Sequence, residues 1–257
     1  MLPRAMGNLA NTSLLILGHG SSKHPDSSGS VKMHTEVLRK TGYYAEVSCA
    51  FLKEEPFIDV EILDAMKSES ICIVPDFLAE GYFTRKVIPE KLNLSEQSKT
   101  VRYCPPVGTH PLMTELIQTA VEEVLGEWQP EHTSLLVIGH GSTKNTCSKQ
   151  TLKSHLAELR SRNLWLQVED LWLEEAPRVS DWSQVASQRQ VIILPFLLND
   201  GQHGGWDIPA DIGIEKNTVV HGVTHELCEK QVRLAPALGT SARFAEVIDA
   251  IVRIWNS

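Results

Sequence analysis

The chain has 257 residues, 42% hydrophobic and 22% charged, with a formal net charge of −8 at pH 7. That is ordinary composition for a globular protein with a substantial core, and its acidity argues against nucleic acid or anionic membranes as partners, because both require a basic face that displaces counterions. Apolar runs stop well short of the roughly 20 residues of a membrane span, and the opening MLPRAMGNLANT lacks the apolar core of a signal peptide, so a cytoplasmic protein is expected.

In chain order, apolar runs occur at Leu14–Leu17, Ala45–Leu52, Ile71–Pro75 and Val101–Cys104, then again at Leu135–Ile138, Leu166–Leu173, Val191–Pro195 and Val232–Ala235. Continuous runs of this length suit strands buried on both faces, hence parallel sheets. Between them the spacing is helical: Leu112, Leu116, Ile117, Ala120, Val121 and Val124 share one side of the stretch 112–125, and Phe244, Val247, Ile248, Ile251 and Val252 share one side of 244–255. Strand and helix alternate, which predicts an α/β fold of two similar doubly wound parallel-sheet domains, 1–132 and 133–257.

The two halves are an internal duplication. SLLILGHGSSKH (13–24) reappears as SLLVIGHGSTKN (134–145), and Pro56 answers Pro177 at the same offset. Pro75 and Pro195, Gly81 and Gly201, and Pro89 and Pro209 keep the register one residue tighter. VRYCPPVGT (101–109) then answers VRLAPALGT (232–240) with the second half longer by about eleven residues, so an insertion lies between Pro209 and Val232 and is expected to form a loop or lid.

Each copy sets a histidine between two glycines directly after a buried strand, at the carboxyl end where ligands bind in doubly wound sheets. Neither copy completes a dinucleotide fingerprint, a P-loop or a nucleophile elbow. The aligned positions then diverge. Lys53 in the first half stands against Glu174 in the second, Phe83 against His203, and Val87 against Asp207. Only the second half keeps three titratable residues, His140, Glu174 and His203, at the ends of consecutive strands. Asp207 reads as the N-cap of the following helix.

The order strand-H-G-S, then LWLEEAP (171–177), then PFLLNDGQHGGWDIP (195–209), then PALGT (236–240) resembles the class II tetrapyrrole chelatases, in particular the sirohydrochlorin cobalt or iron chelatases in their long, two-module form. The resemblance runs through nearly the whole chain, with Trp172 in place of the usual Phe. It implies a chelatase-like fold with one active cleft between the lobes, catalytic histidines at His140 and His203, and the acid at Glu174. The same three residues would meet the metal. The first lobe keeps His19 but departs at Lys53, Phe83 and Val87, and so is expected not to catalyse.

Those residue types suit the implied chemistry. Inserting a divalent metal into a free-base tetrapyrrole removes two pyrrole protons while the metal sheds water, and imidazole, with an ordinary pKa of about 6.5, serves as base and as transient ligand near neutrality. Two imidazoles and a carboxylate accept Fe²⁺, Co²⁺ or Ni²⁺ alike. Glu174 can be a third ligand, a proton acceptor or the partner that orients a histidine. The metal, Co²⁺ or Fe²⁺, is substrate, and no tightly bound cofactor is expected. The tetrapyrrole is a polycarboxylate, for which Ser142, Thr143, Lys144, Gly204, Gly205, Trp206, Thr240 and His19 are candidate contacts, with Lys23 and Arg85 as further cations. The acid is uneven: residues 1–132 carry 12 basic and 18 acidic groups, residues 133–257 carry 12 and 14.

Three function classes remain open on sequence: a chelatase acting as monomer or homodimer, a non-catalytic carrier of tetrapyrrole or metal, and an interaction protein that inherited the fold. Retention of all three polar positions in one half favours the first over the third. His221, His225 and Cys228 have a spacing that could gather a metal if helical, although a solvated loop is the preferred reading. The five cysteines show no C-x-x-C pair and read as reduced thiols.

Overall fold

A computed structural model describes residues 9–22, 25–142, 146–215 and 219–255. The first repeat supplies β1 (Thr12–Gly18), α1 (Gly29–Thr41), β2 (Glu46–Phe51), α2 (Glu61–Asp64), β3 (Ser70–Pro75), α3 (Ile88–Lys91), β4 (Thr100–Tyr103) and α4 (Leu112–Leu125). The second supplies β5 (Thr133–Gly139), α5 (Cys147–Ser161), β6 (Gln167–Trp172), α6 (Trp182–Val185), β7 (Gln190–Pro195), α7 (Ile208–Ile212), β8 (Thr224–Leu227), β9 (Lys230–Leu234) and α8 (Phe244–Trp255).

One sheet has the order β2-β1-β3-β4, all parallel; the other has β6-β5-β7-β9-β8, parallel except for β8. The central strands β1 and β5 are buried at all seven positions, which is why they read as unbroken apolar runs. Leu15 and Leu17 face a core completed by Ile58, Leu63, Ile88 and Leu92, from α2, α3 and their flanking turns. Leu136 and Ile138 face the equivalent core, with Trp182, Ile208 and Ile212 from α6 and α7. Because successive strand residues alternate faces, Leu14 and Ile16 lie beneath the opposite helical layer, where α1 packs on its sheet as α5 does on the other. Both sheets are therefore covered on both sides, as the doubly wound reading requires.

The boundaries of the compact units differ from those of the repeats. By contacts the units are residues 1–110 with 242–257, and residues 111–241, while the sequence repeats run 1–132 and 133–257. The terminal helices account for the difference: α4, from the first repeat, packs on α5, β7 and β9, whereas α8, from the second, packs on α1 and β3. Specific contacts fix each helix. Phe244 of α8 stacks on the buried His34 ring at 4.8 Å, and Tyr44 donates to Asp249 at 2.7 Å. On α4, the Thr114 hydroxyl lies 2.9 Å from Nδ1 of His155, and Arg162 grips Glu115. An amphipathic stripe specifies that a helix must be covered and leaves open which sheet covers it, so the repeat pattern could not assign these two.

The insertion was expected as a solvated loop or lid; it contains a hairpin instead. β8 is an antiparallel edge strand on β9, and the two are joined through Cys228 and Glu229, both left-handed at φ 49° and 62°, as a tight hairpin turn requires. His225 lies on β8 opposite Val232, so the helical spacing that would have gathered His221, His225 and Cys228 does not exist. None of the five cysteines is in a disulfide. Among the described residues no helix is long and apolar enough to cross a membrane.

Candidate active site

The site is built at the carboxyl ends of β5, β6 and β7. β5 ends at Gly139, where a Cβ would collide with the Trp172 ring, and Gly141 follows in the left-handed region at φ 75°. This glycine pair lets the chain turn sharply and leaves His140 partly open, at 43% side-chain exposure. The ladder continues one step beyond the strands: Leu173 N–H donates to Gly139 O at 3.2 Å and Glu174 N–H to His140 O at 3.1 Å. Backbone pairing thus sets Glu174 beside His140, with Oε1 3.8 Å from Nδ1.

A second carboxylate, not singled out in the sequence, holds the turn. Glu175 accepts from Ser142 N–H at 3.4 Å and from Lys149 Nζ at 2.6 Å. The Lys149 ammonium, with Ser142 N–H and Lys153, holds its carboxyl below the usual range against the opposing effect of burial. Glu54 does the same in the first repeat, accepting from Ser21 N–H at 3.1 Å and Lys32 Nζ at 3.0 Å. Burial raises the Glu54 carboxyl, but hydrogen bonds from Ser28, Lys32 and Ser21 together bring it below the usual range. The sequence signal was there: Glu54 and Glu175 keep the repeat offset, which marks a structural tether common to both copies.

After β7 the chain enters a π-helical turn, His203–Asp207, closed by Ile208 N–H donating five residues back to His203 O. Pro209 follows; lacking an N–H and crowding the carbonyl four residues behind it, it disfavours the tighter α-helical register. The turn brings the His203 ring to 5.1 Å from that of His140, centroid to centroid, at 88°. Asp207, expected as an N-cap, makes no capping bond; its Oδ2 lies 2.8 Å from Nδ1 of His203. At the other histidine, Nδ1 of His140 lies 3.1 Å from Gly141 O. A carbonyl oxygen only accepts, so this nitrogen carries a hydrogen and Nε2 of the neutral ring holds the lone pair. His140, Glu174 and His203 are thus neighbours, 43%, 50% and 48% exposed. Among the described residues no three His, Cys, Asp or Glu side chains are gathered into a ready-made metal cage.

The first unit keeps the scaffold and changes the groups. His19 Nδ1 lies 2.8 Å from Gly20 O, Lys53 N–H donates to His19 O at 3.0 Å, and the ring facing His19 at 5.1 Å and 75° is Phe83. Phe83 opens the equivalent π-helical turn, Phe83–Val87.

The other expected contacts divide. Trp206 sits on the His203–Asp207 turn and is half exposed, Gly204 is buried there and Gly205 is partly exposed. Ser142 is held by Glu175 through its backbone. Thr240 donates its hydroxyl to Ala237 O at 2.7 Å, beyond the carboxyl end of β9, where Gly239 is pressed against the Leu198 backbone too closely for any Cβ. Arg85 is paired with Glu80. Thr143, Lys144 and Lys23 lie outside the described residues. Asp200, also not anticipated, braces the loop after β7 by accepting from Ala237 N–H at 2.8 Å, with its other oxygen 3.8 Å from Nε2 of His221.

Comparison with known proteins places this chain in a wider set. A family model described as CbiX matches residues 13–124 and again residues 134–254. A probable sirohydrochlorin cobaltochelatase of Halobacterium salinarum is 32% identical over 221 residues, which cover 77% of this chain and 75% of that protein. Among solved structures, a multi-domain protein of Deinococcus radiodurans, described as structurally similar to chelatases, aligns with a TM-score of 0.80 and 25% identity. That alignment covers 94% of this chain and 55% of the other, so the chain spans about half of that protein. SirB from Bacillus subtilis, solved with Fe³⁺, aligns with a TM-score of 0.75 and 18% identity over 95% of this chain and 94% of its own, a likeness of fold.

Proposed function

Because the chain belongs to the CbiX family, we propose that it is a metal chelatase that inserts a divalent cation, Co²⁺ or Fe²⁺, into sirohydrochlorin. The observation that carries the reading is the pair of imidazoles 5.1 Å apart with a carboxylate 3.8 Å from one of them, present in the second unit and absent from the equivalent place in the first.

The division of labour follows from the groups. Two partly exposed imidazoles can take a hydrated cation from solvent by replacing water molecules one at a time. Glu174, half exposed, adds a negative charge that lowers the cost of holding a dication there, and as the macrocycle loses its two pyrrole protons Glu174 can accept one and an imidazole vacated by the departing metal the other. A set that is neighbouring without being a closed cage suits a metal that must leave with the product, since a tightly closed site would retain it. Trp206, half exposed on the same turn as His203, is a candidate surface for the macrocycle.

A carrier would use the same groups, and turnover separates the two. Incubating the protein with excess sirohydrochlorin and Co²⁺ or Fe²⁺, and following absorbance against a protein-free control, should give many equivalents of metallated product per protein. Metallation or binding that stops at one equivalent would identify a carrier and overturn the chelatase reading.

A further inference from the structure

The two π-helical turns differ in one respect beyond the loss of a histidine: the second lays a carboxylate on the imidazole it presents. Nδ1 of His203 and Oδ2 of Asp207 are 2.8 Å apart, four residues along the same turn. Asp207 stands at the start of α7 but makes no capping bond there, so its carboxylate is not spent on the helix. Where Phe83 replaces the histidine, Val87 replaces the acid, although the turn, the following proline and the facing histidine all remain. Imidazole and carboxylate are kept together or lost together, and the backbone needs neither.

We propose that Asp207 is a positioning residue: it holds His203 in the tautomer with hydrogen on Nδ1, so that Nε2 offers its lone pair to the incoming metal. This rests on the metal-insertion reading above. An ionised carboxylate has no hydrogen to donate, so the 2.8 Å contact places one on Nδ1. A neutral imidazole free in water favours the other tautomer, with Nε2 blocked by its hydrogen. His140 reaches the same state by another route, its Nδ1 facing the Gly141 carbonyl at 3.1 Å, and His19 shares that backbone arrangement at 2.8 Å from Gly20 O. The backbone thus sets the tautomer of the turn histidine in both units. His203 Nδ1 meets no carbonyl among the described residues and depends on a side chain instead. Carboxylates in this relation to ligating histidines typically contribute ten- to a hundredfold in metal affinity or activity.

The test is made on the full, metal-free chain labelled with ¹⁵N. Long-range ¹H–¹⁵N spectra, with His203→Ala to assign the ring, should show hydrogen on Nδ1 of His203 in the parent protein. They should show a shift toward hydrogen on Nε2 in Asp207→Ala, and restoration of the parent pattern in Asp207→Asn, whose amide oxygen still accepts. Turnover should fall about tenfold or more in Asp207→Ala and recover substantially in Asp207→Asn. Unchanged His203 nitrogen shifts in Asp207→Ala, or an Asn variant no better than Ala in both readouts, would overturn the proposal. A His203→Ala variant that keeps full turnover would instead overturn the insertion site itself, a result the tautomer spectra cannot imitate.

Discussion

The two units place a histidine, a π-helical turn and an acid-lysine tether in the same positions, yet only the second adds a second imidazole and a carboxylate beside the histidine. In the first, His19 faces Phe83 at 5.1 Å; in the second, His140 faces His203 at the same 5.1 Å. Lys53 and Glu174 each donate their backbone N–H to the turn histidine, at 3.0 and 3.1 Å, so the exchange of a cation for a carboxylate leaves the scaffold untouched. Geometry and chemistry have separated: the shared turns set the same ring-to-ring distance in both units, while the polar groups, which the backbone does not require, stand in the second only. Position in a fold is therefore weak evidence of function, and the identity of three side chains at that position is strong evidence.

The largest expected effect tests that separation directly. His140→Ala or His203→Ala should lower the rate of metallation by about a hundredfold or more, and Glu174→Gln by less, whereas His19→Ala should leave most of it. Initial rates by absorbance, with thermal melts to show that each variant is folded, decide the matter. A folded His19→Ala variant as inactive as His140→Ala would break the contrast between a working and a supporting unit.

A second contrast concerns what lies beneath the turns. His34 and Asp76 form a fully buried pair at 2.8 Å in the first unit; at the equivalent depth in the second, His155 meets the neutral Thr114 hydroxyl at 2.9 Å. Losing a buried hydrogen bond to a carboxylate costs about 1.5–3 kcal/mol, against about 1 kcal/mol for an ordinary neutral hydrogen bond. Asp76→Ala should therefore lower the urea midpoint well beyond Thr114→Ala. Equal shifts would mean that the two buried histidines are supported equally.

The smallest effect concerns what the units share. Folding holds Glu54 and Glu175 below their ordinary carboxyl values, so the stability they contribute is complete above about pH 4.3, the unfolded value for Glu, and fades as pH falls through the folded values. Glu175→Gln should cost below about 1 kcal/mol at neutral pH, and its melting curve should converge with the parent's toward pH 3. Glu54→Gln should behave alike. A deficit that persists unchanged at pH 3 would show that the tether acts by packing rather than by charge.

The sequence by itself determined what depends on local pattern. Runs such as Leu14–Leu17 and Val191–Pro195 declared buried parallel strands because burial on both faces removes the polar alternation, and the offset of His19 from His140 declared the duplication. That His140, Glu174 and His203 would be neighbours was legible because each sits at a strand end that the repeat marks twice. Tertiary structure alone decided the partners. Nothing in the stripes of α4 and α8 says which sheet each will cover, because burial rewards apolar area whatever its source. Nothing in the segment around Cys228 announced a hairpin, because its two left-handed residues are not glycines and only pairing with β9 holds them there. Asp207 looked like a cap for the same reason: helix-start position is local, whereas the choice between capping a backbone N–H and meeting the His203 ring is made by the wider turn that brings the two side chains to 2.8 Å.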